Sequence, residues 1–347
     1  MSTMPENVPL GPENSSEREA PEFPSAQLLP AEIPVSEPAP AETHEDSHSV
    51  EAALIAPSEA QAFEPALFAQ YSKEEYRQPA RIPHFGHLIL LLLLACFGLL
   101  GAGSLLLLGM HFHLFGVSTL GEAVTDFRYT LGSQAVQYLI TFAACLFVFP
   151  LVWRKGFFDG LQWRATTALR LKGRLIATAV ACFALAMLNG YFMPGPTDAP
   201  IDRIFRAPGA AWVLFAFGVT LAPFFEEIAF RGFFLPALCT AYDWFGEKIA
   251  GIPLRPLDEN NHPQWSMPAM VVSSILTSLP FALMHAEQTA YSLGPFLLLV
   301  GVSLVLCWVR LSTRSLASSV LVHACYNFLL FSLMLFGTGG FKHLDKM

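Results

Sequence analysis

Long apolar runs separated by short polar stretches fill the chain from residue 81 onward. Seven of them approach the roughly 20 residues that a helix needs to cross about 30 Å of hydrocarbon. They are Leu88–Met110, Leu131–Val152, Gly173–Met193, Gly209–Leu238, Met267–Ala286, Leu293–Arg310 and Leu316–Phe336. The pattern predicts an all-α fold, a polytopic transmembrane helix bundle of about seven or eight helices. The fourth run is long, and Pro223 and Pro236 interrupt it; a kink or split is expected there. Carbonyls freed by proline at membrane depth need neighbouring helices or a wet cavity, which points residues 221–236 inward.

Residues 1–80 break this pattern. They hold 12 of the 26 prolines and 15 Asp/Glu against three Lys/Arg, so the overall charge of −8 comes from this tail while residues 81–347 carry +4. Such a segment cannot bury enough apolar surface to offset backbone ordering, and a disordered acidic tail is expected, with room for a short helix near Ala60–Tyr76. It lacks a basic stretch followed by an apolar core, so it does not read as a signal peptide. The expected organisation is a tail over 1–80, N-terminal transmembrane helices over 81–207, a catalytic membrane core over 208–340 and a short tail over 341–347.

Composition agrees: 53% hydrophobic and 14% charged residues exclude one soluble globule of 347 residues. No basic aromatic patch suggests nucleic acid. The six cysteines fall singly in apolar segments, without CxxC spacing, and read as small buried residues. Between Trp153 and Lys172, five Lys/Arg face Asp159 alone. The positive-inside rule makes that loop and the tail cytoplasmic in an integral, multi-pass protein. No internal repeat is visible, which weakens a transporter reading.

Ionisable residues inside such runs are costly and mark function. LAPFFEEIAFRGFF, residues 221–234, holds Glu226, Glu227 and Arg231. In a helix Glu227 and Arg231 lie at i and i+4 and can pair, while Glu226 points about 100° away and stays available. Phe281 and His285 share a face near the end of the fifth run, as do His323 and Asn327 in the last. A single intramembrane histidine is as often an interhelical hydrogen-bonder as a catalyst. Two Glu, one Arg, two His and one Asn on three apolar helices are better explained by convergence on one polar chamber. Its chemistry would be hydrolysis. A carboxylate can act as general base on water beside an imidazole, and Asn and a second His can donate to an oxyanion. HExxH, GxSG and GxGD are absent, and His285-Ala286-Glu287 lacks the PCxxC partner of a zinc deaminase.

EEIAFR (226–231), FALMH (281–285) and HACYN (323–327) resemble the EExxxR, FxxxH and HxxxN motifs of the CPBP family of intramembrane proteases. That family includes the eukaryotic CAAX-processing endopeptidase and bacterial relatives linked to bacteriocin self-immunity. The resemblance covers about Gly209–Phe336. It implies a helical membrane peptidase in which Glu226 activates water with His285, His323 and Asn327 form the oxyanion pocket, and Glu227 and Arg231, with Phe281, shape the site. Glu226, His285 and His323 are also candidate ligands for a divalent metal such as zinc; catalysis by glutamate alone needs none. Expected partners are membrane lipid and a membrane protein or peptide substrate, in a bacterial plasma membrane. The alternative is a non-enzymatic transporter or a peptide-binding immunity protein. Simple alternation of the spans sets His285 and His323 near opposite ends of the bundle, a conflict that a tilted or broken helix would relieve.

Overall fold

The computed structural model describes residues 81–341 apart from 196–199, 201–203, 206, 208, 254 and 259–261. The expected tail, its helix near Ala60–Tyr76 and nearly all of the C-terminal tail lie outside the described residues. Seven helical segments are long and apolar enough to cross a membrane. They belong to α1 (Phe85–His111), α3 (Phe127–Trp153), α6 (Lys172–Phe192), the composite segment Ala210–Ile249, α10 (Met267–Met284), α11 (Leu293–Thr313) and α12 (Leu316–Gly337). Short helices α2 (Leu120–Thr125), α4 (Phe157–Gly160) and α5 (Ala165–Arg170) lie in the connections. Strands are lacking among the described residues; Leu257 and Pro263 form an isolated bridge.

Local chemistry sets the ends. Thr119 and Glu122 cap α2 reciprocally, Thr119 Oγ1 accepting from the Glu122 N–H at 3.3 Å and Glu122 Oε2 from the Thr119 N–H at 3.0 Å. Ser266 caps α10, accepting from the Ala269 N–H at 3.2 Å while its own N–H and hydroxyl donate to buried Asp243. Along α1, Leu92, Leu93, Phe97 and Leu100 are more than half exposed, the surface a helix presents to lipid rather than water. The other side packs on α3 so closely that a Cβ on Gly98 would sit 2.9 Å from the Gln137 carbonyl oxygen. One core gathers Phe149, Trp153, Phe157 and Phe233; a second joins Leu175 and Ala179 of α6 to Val302 and Leu306 of α11 and Val322 of α12.

The fourth apolar run is broken, as its prolines lead one to expect, and it continues past Leu238 to Ile249. Its pieces are α7 (Ala210–Val219), α8 (Leu221–Glu227), a wide turn over Ile228–Phe234 of π geometry, and α9 (Leu235–Ile249). The first break falls at Thr220 (φ −116°, ψ −72°), so Pro223 sits in the first turn of α8, where its missing N–H would have been unpaired anyway. Pro236 opens α9. In the wide turn bonds run from i to i+5, as from the Leu235 N–H to the Phe230 carbonyl. The residue that would serve the Arg231 carbonyl is therefore Pro236, which has no hydrogen to give. Arg310 Nε donates to that carbonyl at 3.2 Å, and Arg310 Nη2 to the Leu161 carbonyl at 3.3 Å. Arg310, the last residue of the expected sixth run, is buried, and α11 runs on to Thr313.

Candidate active site

The break and the wide turn aim the two adjacent glutamates differently. Glu227 is wholly buried. Its Oε1 accepts from Arg231 Nη1 at 3.0 Å and lies 2.9 Å from His323 Nδ1. Arg231, also wholly buried, donates through Nη2 to the Ser303 carbonyl at 3.0 Å and to its hydroxyl at 2.7 Å, and its guanidinium lies 4.6 Å from the Phe281 ring centroid. A buried charge is tolerated only when paired and hydrogen-bonded, and this fork does both.

Glu226 faces a cavity of about 460 Å³ whose wall also holds Phe281, His285, His323 and Asn327. Its Oε1 is 3.9 Å from His285 Nε2 and its Oε2 3.8 Å from His323 Nε2. Both gaps exceed a direct hydrogen bond and suit a water touching carboxylate and imidazole together. The other nitrogen of each ring is engaged. His285 Nδ1 lies 2.8 Å from the Phe281 carbonyl oxygen, which can only accept, so Nδ1 carries a proton and Nε2 is the nitrogen turned to the cavity. Asn327 Nδ2 donates to the Gly218 carbonyl at 2.7 Å, just before the Thr220 break; its second N–H remains.

His285 and His323 thus meet at one carboxylate, against the simple alternation of spans. Helix length alone does not bring them together: at about 1.5 Å per residue α10 rises roughly 27 Å while His323 stands only about 10 Å into α12, so the two helices are offset along their axes. The rings of Phe281 and His323 are 5.9 Å apart, so α10 ends beside the early turns of α12.

The structure also adds residues that sequence reasoning passed over. Ser303 on α11 anchors Arg231, and Arg310 completes the wide turn. Thr130 and Gln134 of α3 line the cavity, and Gln134 Nε2 donates to Tyr138 at 3.1 Å. A polar pair at i and i+4 inside an apolar run is a signal that could have found Gln134; Ser303 has no such mark. No group of three or more His, Cys, Asp or Glu among the described residues is arranged to hold a metal ion. The trio Glu226, His285 and His323 converges without closing to ligand spacing.

Residues 208–329 match the family model described as type II CAAX prenyl endopeptidase Rce1-like. Over these residues the chain is similar to that family. The match is consistent with the CPBP resemblance carried by the three motifs. No curated protein and no solved structure matches the chain. All three motifs fall inside the Rce1-like segment, and with seven apolar helices the protein is an integral, multi-pass membrane protein. Gln134 of α3 lies outside that segment and still reaches the cavity.

Proposed function

We propose that the chain is an intramembrane endopeptidase that hydrolyses a peptide bond of a membrane-associated protein or peptide by glutamate-activated water, in the manner of CAAX proteases. The observation that carries this is Glu226 set between the Nε2 atoms of two histidines, at 3.9 and 3.8 Å, in a chamber within an apolar bundle. A water held by Glu226 and His285 gives its proton to the carboxylate as its oxygen attacks the substrate carbonyl carbon. The carbonyl electrons move onto oxygen, and that oxyanion needs donors. Asn327 offers its second N–H. His323 can donate from Nε2 only as the imidazolium, with Nδ1–H held by Glu227, so Glu227 is what lets it serve. Collapse of the tetrahedral intermediate breaks the C–N bond, and the proton on Glu226 passes to the leaving amine. Every group needed is on the chain, and nothing in this scheme requires a metal. The protein would work in a bacterial plasma membrane, tail inside.

The test is Glu226→Gln, nearly isosteric. Comparing the termini of membrane proteins in cells carrying the natural chain or this variant should show termini that appear only with the natural chain. Identical sets of termini in the two strains would overturn the proposal.

A further inference from the structure

α3 brings to the chamber a polar stripe that the three motifs do not use. Thr130, Gln134 and Tyr138 follow one another at four-residue steps inside an apolar span, so they share one face. Thr130 spends its hydroxyl hydrogen on the Asp126 and Phe127 carbonyls, both at 3.3 Å. Gln134 lines the chamber, and its Nε2 donates to the Tyr138 hydroxyl at 3.1 Å. A carboxamide at membrane depth is ordinarily explained as glue between helices. Here the bond stays within α3, and among the described residues Gln134 makes no hydrogen bond to another helix.

The Tyr138 ring is itself fixed. Its centroid lies 4.8 Å from that of Phe225 and 6.0 Å from that of Phe217, the latter ring nearly parallel at 15°. Phe225 precedes Glu226, and Phe217 precedes Gly218, whose carbonyl holds Asn327. The Gln134 amide is therefore set against the two segments that carry the proposed base and anchor the proposed oxyanion donor. One N–H of Nε2 is spent on Tyr138, which leaves the second N–H and the Oε1 lone pairs. That is one donor and one acceptor, the complement of a residue in an extended peptide, whose N–H and C=O point to the same side. A peptide in an apolar chamber has no water for these groups, and each one left unpaired is costly.

We infer that Gln134 is a substrate-binding residue of the proposed hydrolysis: its carboxamide pairs with the backbone of one extended substrate residue, Oε1 accepting that residue's N–H and Nε2 donating to its carbonyl. A chamber of about 460 Å³ admits only a few residues at about 3.3 Å each, so the residue held by Gln134 is close in sequence to the bond being cut. Backbone pairing keeps the peptide extended and is blind to its side chains. Gln134 lies outside residues 208–329, so α3 supplies what the three motifs lack, a hold on the peptide beside the reacting carbonyl. The inference rests on the hydrolytic reading, and its test separates the two.

The probe is a synthetic peptide copying the strongest cut that vanishes in Glu226→Gln cells, hydrolysed by the purified full chain in detergent. It is prepared with one backbone N-methyl group at each residue near that bond in turn, the scissile amide excepted. With the natural chain, methylation at one position should lower kcat/KM about 10-fold, mainly by raising KM. Gln134→Leu and Gln134→Met should lose about as much with the unmethylated peptide, and methylation at that position should then cost nothing further. Either variant suffices should the other fail to accumulate. The inference is overturned by equal N-methyl penalties in natural and variant chains, by a natural chain indifferent to N-methylation, by variants that cut the unmethylated peptide as fast as the natural chain, or by variants that accumulate and cut nothing. A natural chain that leaves the peptide whole defeats the hydrolytic reading and this inference with it; normal cutting with any of those four patterns defeats this inference alone.

Discussion

Nδ1 of His323 lies 2.9 Å from Oε1 of Glu227, and this bond turns the other ring nitrogen of His323 toward Glu226. Two neighbouring carboxylates therefore do different work, and substitution should separate them. Glu227→Gln leaves Arg231 as a buried cation without its counter-charge and loosens His323. We expect a loss of stability of about 3–5 kcal/mol, as for other broken buried pairs, together with loss of hydrolysis; thermal unfolding of purified protein in detergent checks the first. Glu226→Gln, by contrast, should unfold at the natural temperature and hydrolyse nothing, since no protein group makes a short bond to that carboxylate.

Arg231 is held by its fork. Arg231→Lys keeps the charge but cannot reach Glu227 and both Ser303 oxygens at once. A drop in hydrolysis of roughly 10- to 100-fold is expected, typical of removing a group that orients another. Ser303→Ala should give a smaller loss in the same assay, and a Ser303→Ala effect exceeding that of Arg231→Lys would contradict this account.

Arg310 and Pro236 should be energetically coupled. Arg310→Met strips the Arg231 carbonyl of its donor, and an unsatisfied buried carbonyl costs about 1–3 kcal/mol. Pro236→Ala restores an N–H at the i+5 position of the wide turn. The damage from Arg310→Met should therefore be smaller in a Pro236→Ala background, by more than about 0.5 kcal/mol in a double-mutant cycle of unfolding. Additive effects would show that the two residues serve the turn independently.

The α1–α3 contact gives a steric prediction. Gly98→Ala puts a methyl group 2.2 Å from Thr141 Oγ1 and 2.9 Å from the Gln137 carbonyl oxygen, whereas a Cβ at Gly103 meets nothing within 4 Å. Gly98→Ala should lower the unfolding temperature and Gly103→Ala leave it unchanged or raise it, helix propensity favouring alanine.

Between α9 and α10, burial holds His262 below the usual imidazole value of 6.5, with Asp258 working in the opposite direction. In this range the unfolded chain binds the proton more readily than the folded one, so the stability it contributes is full above that value and falls as pH drops below it. Unfolding temperature measured from about pH 7.5 down to about pH 5.5 should fall less steeply in His262→Gln than in the natural chain. Parallel curves would assign the pH dependence to other groups.

The long apolar runs determined the membrane class and the seven spans, because hydrophobic length is a local property that lipid reads directly. The same local logic placed Glu227 with Arg231, and His323 with Asn327, on shared faces, since i and i+4 fall one turn apart in a helix. Tertiary structure alone decided that Glu227 rather than Glu226 is buried. It likewise decided that Arg310 fills the bond Pro236 cannot make and that α3 contributes Gln134 to the chamber. His323 and Glu227 are 96 positions apart. No periodicity along the chain encodes a distance of that kind; it comes from where short α10 ends, where Thr220 breaks the fourth segment, and how the helices then pack.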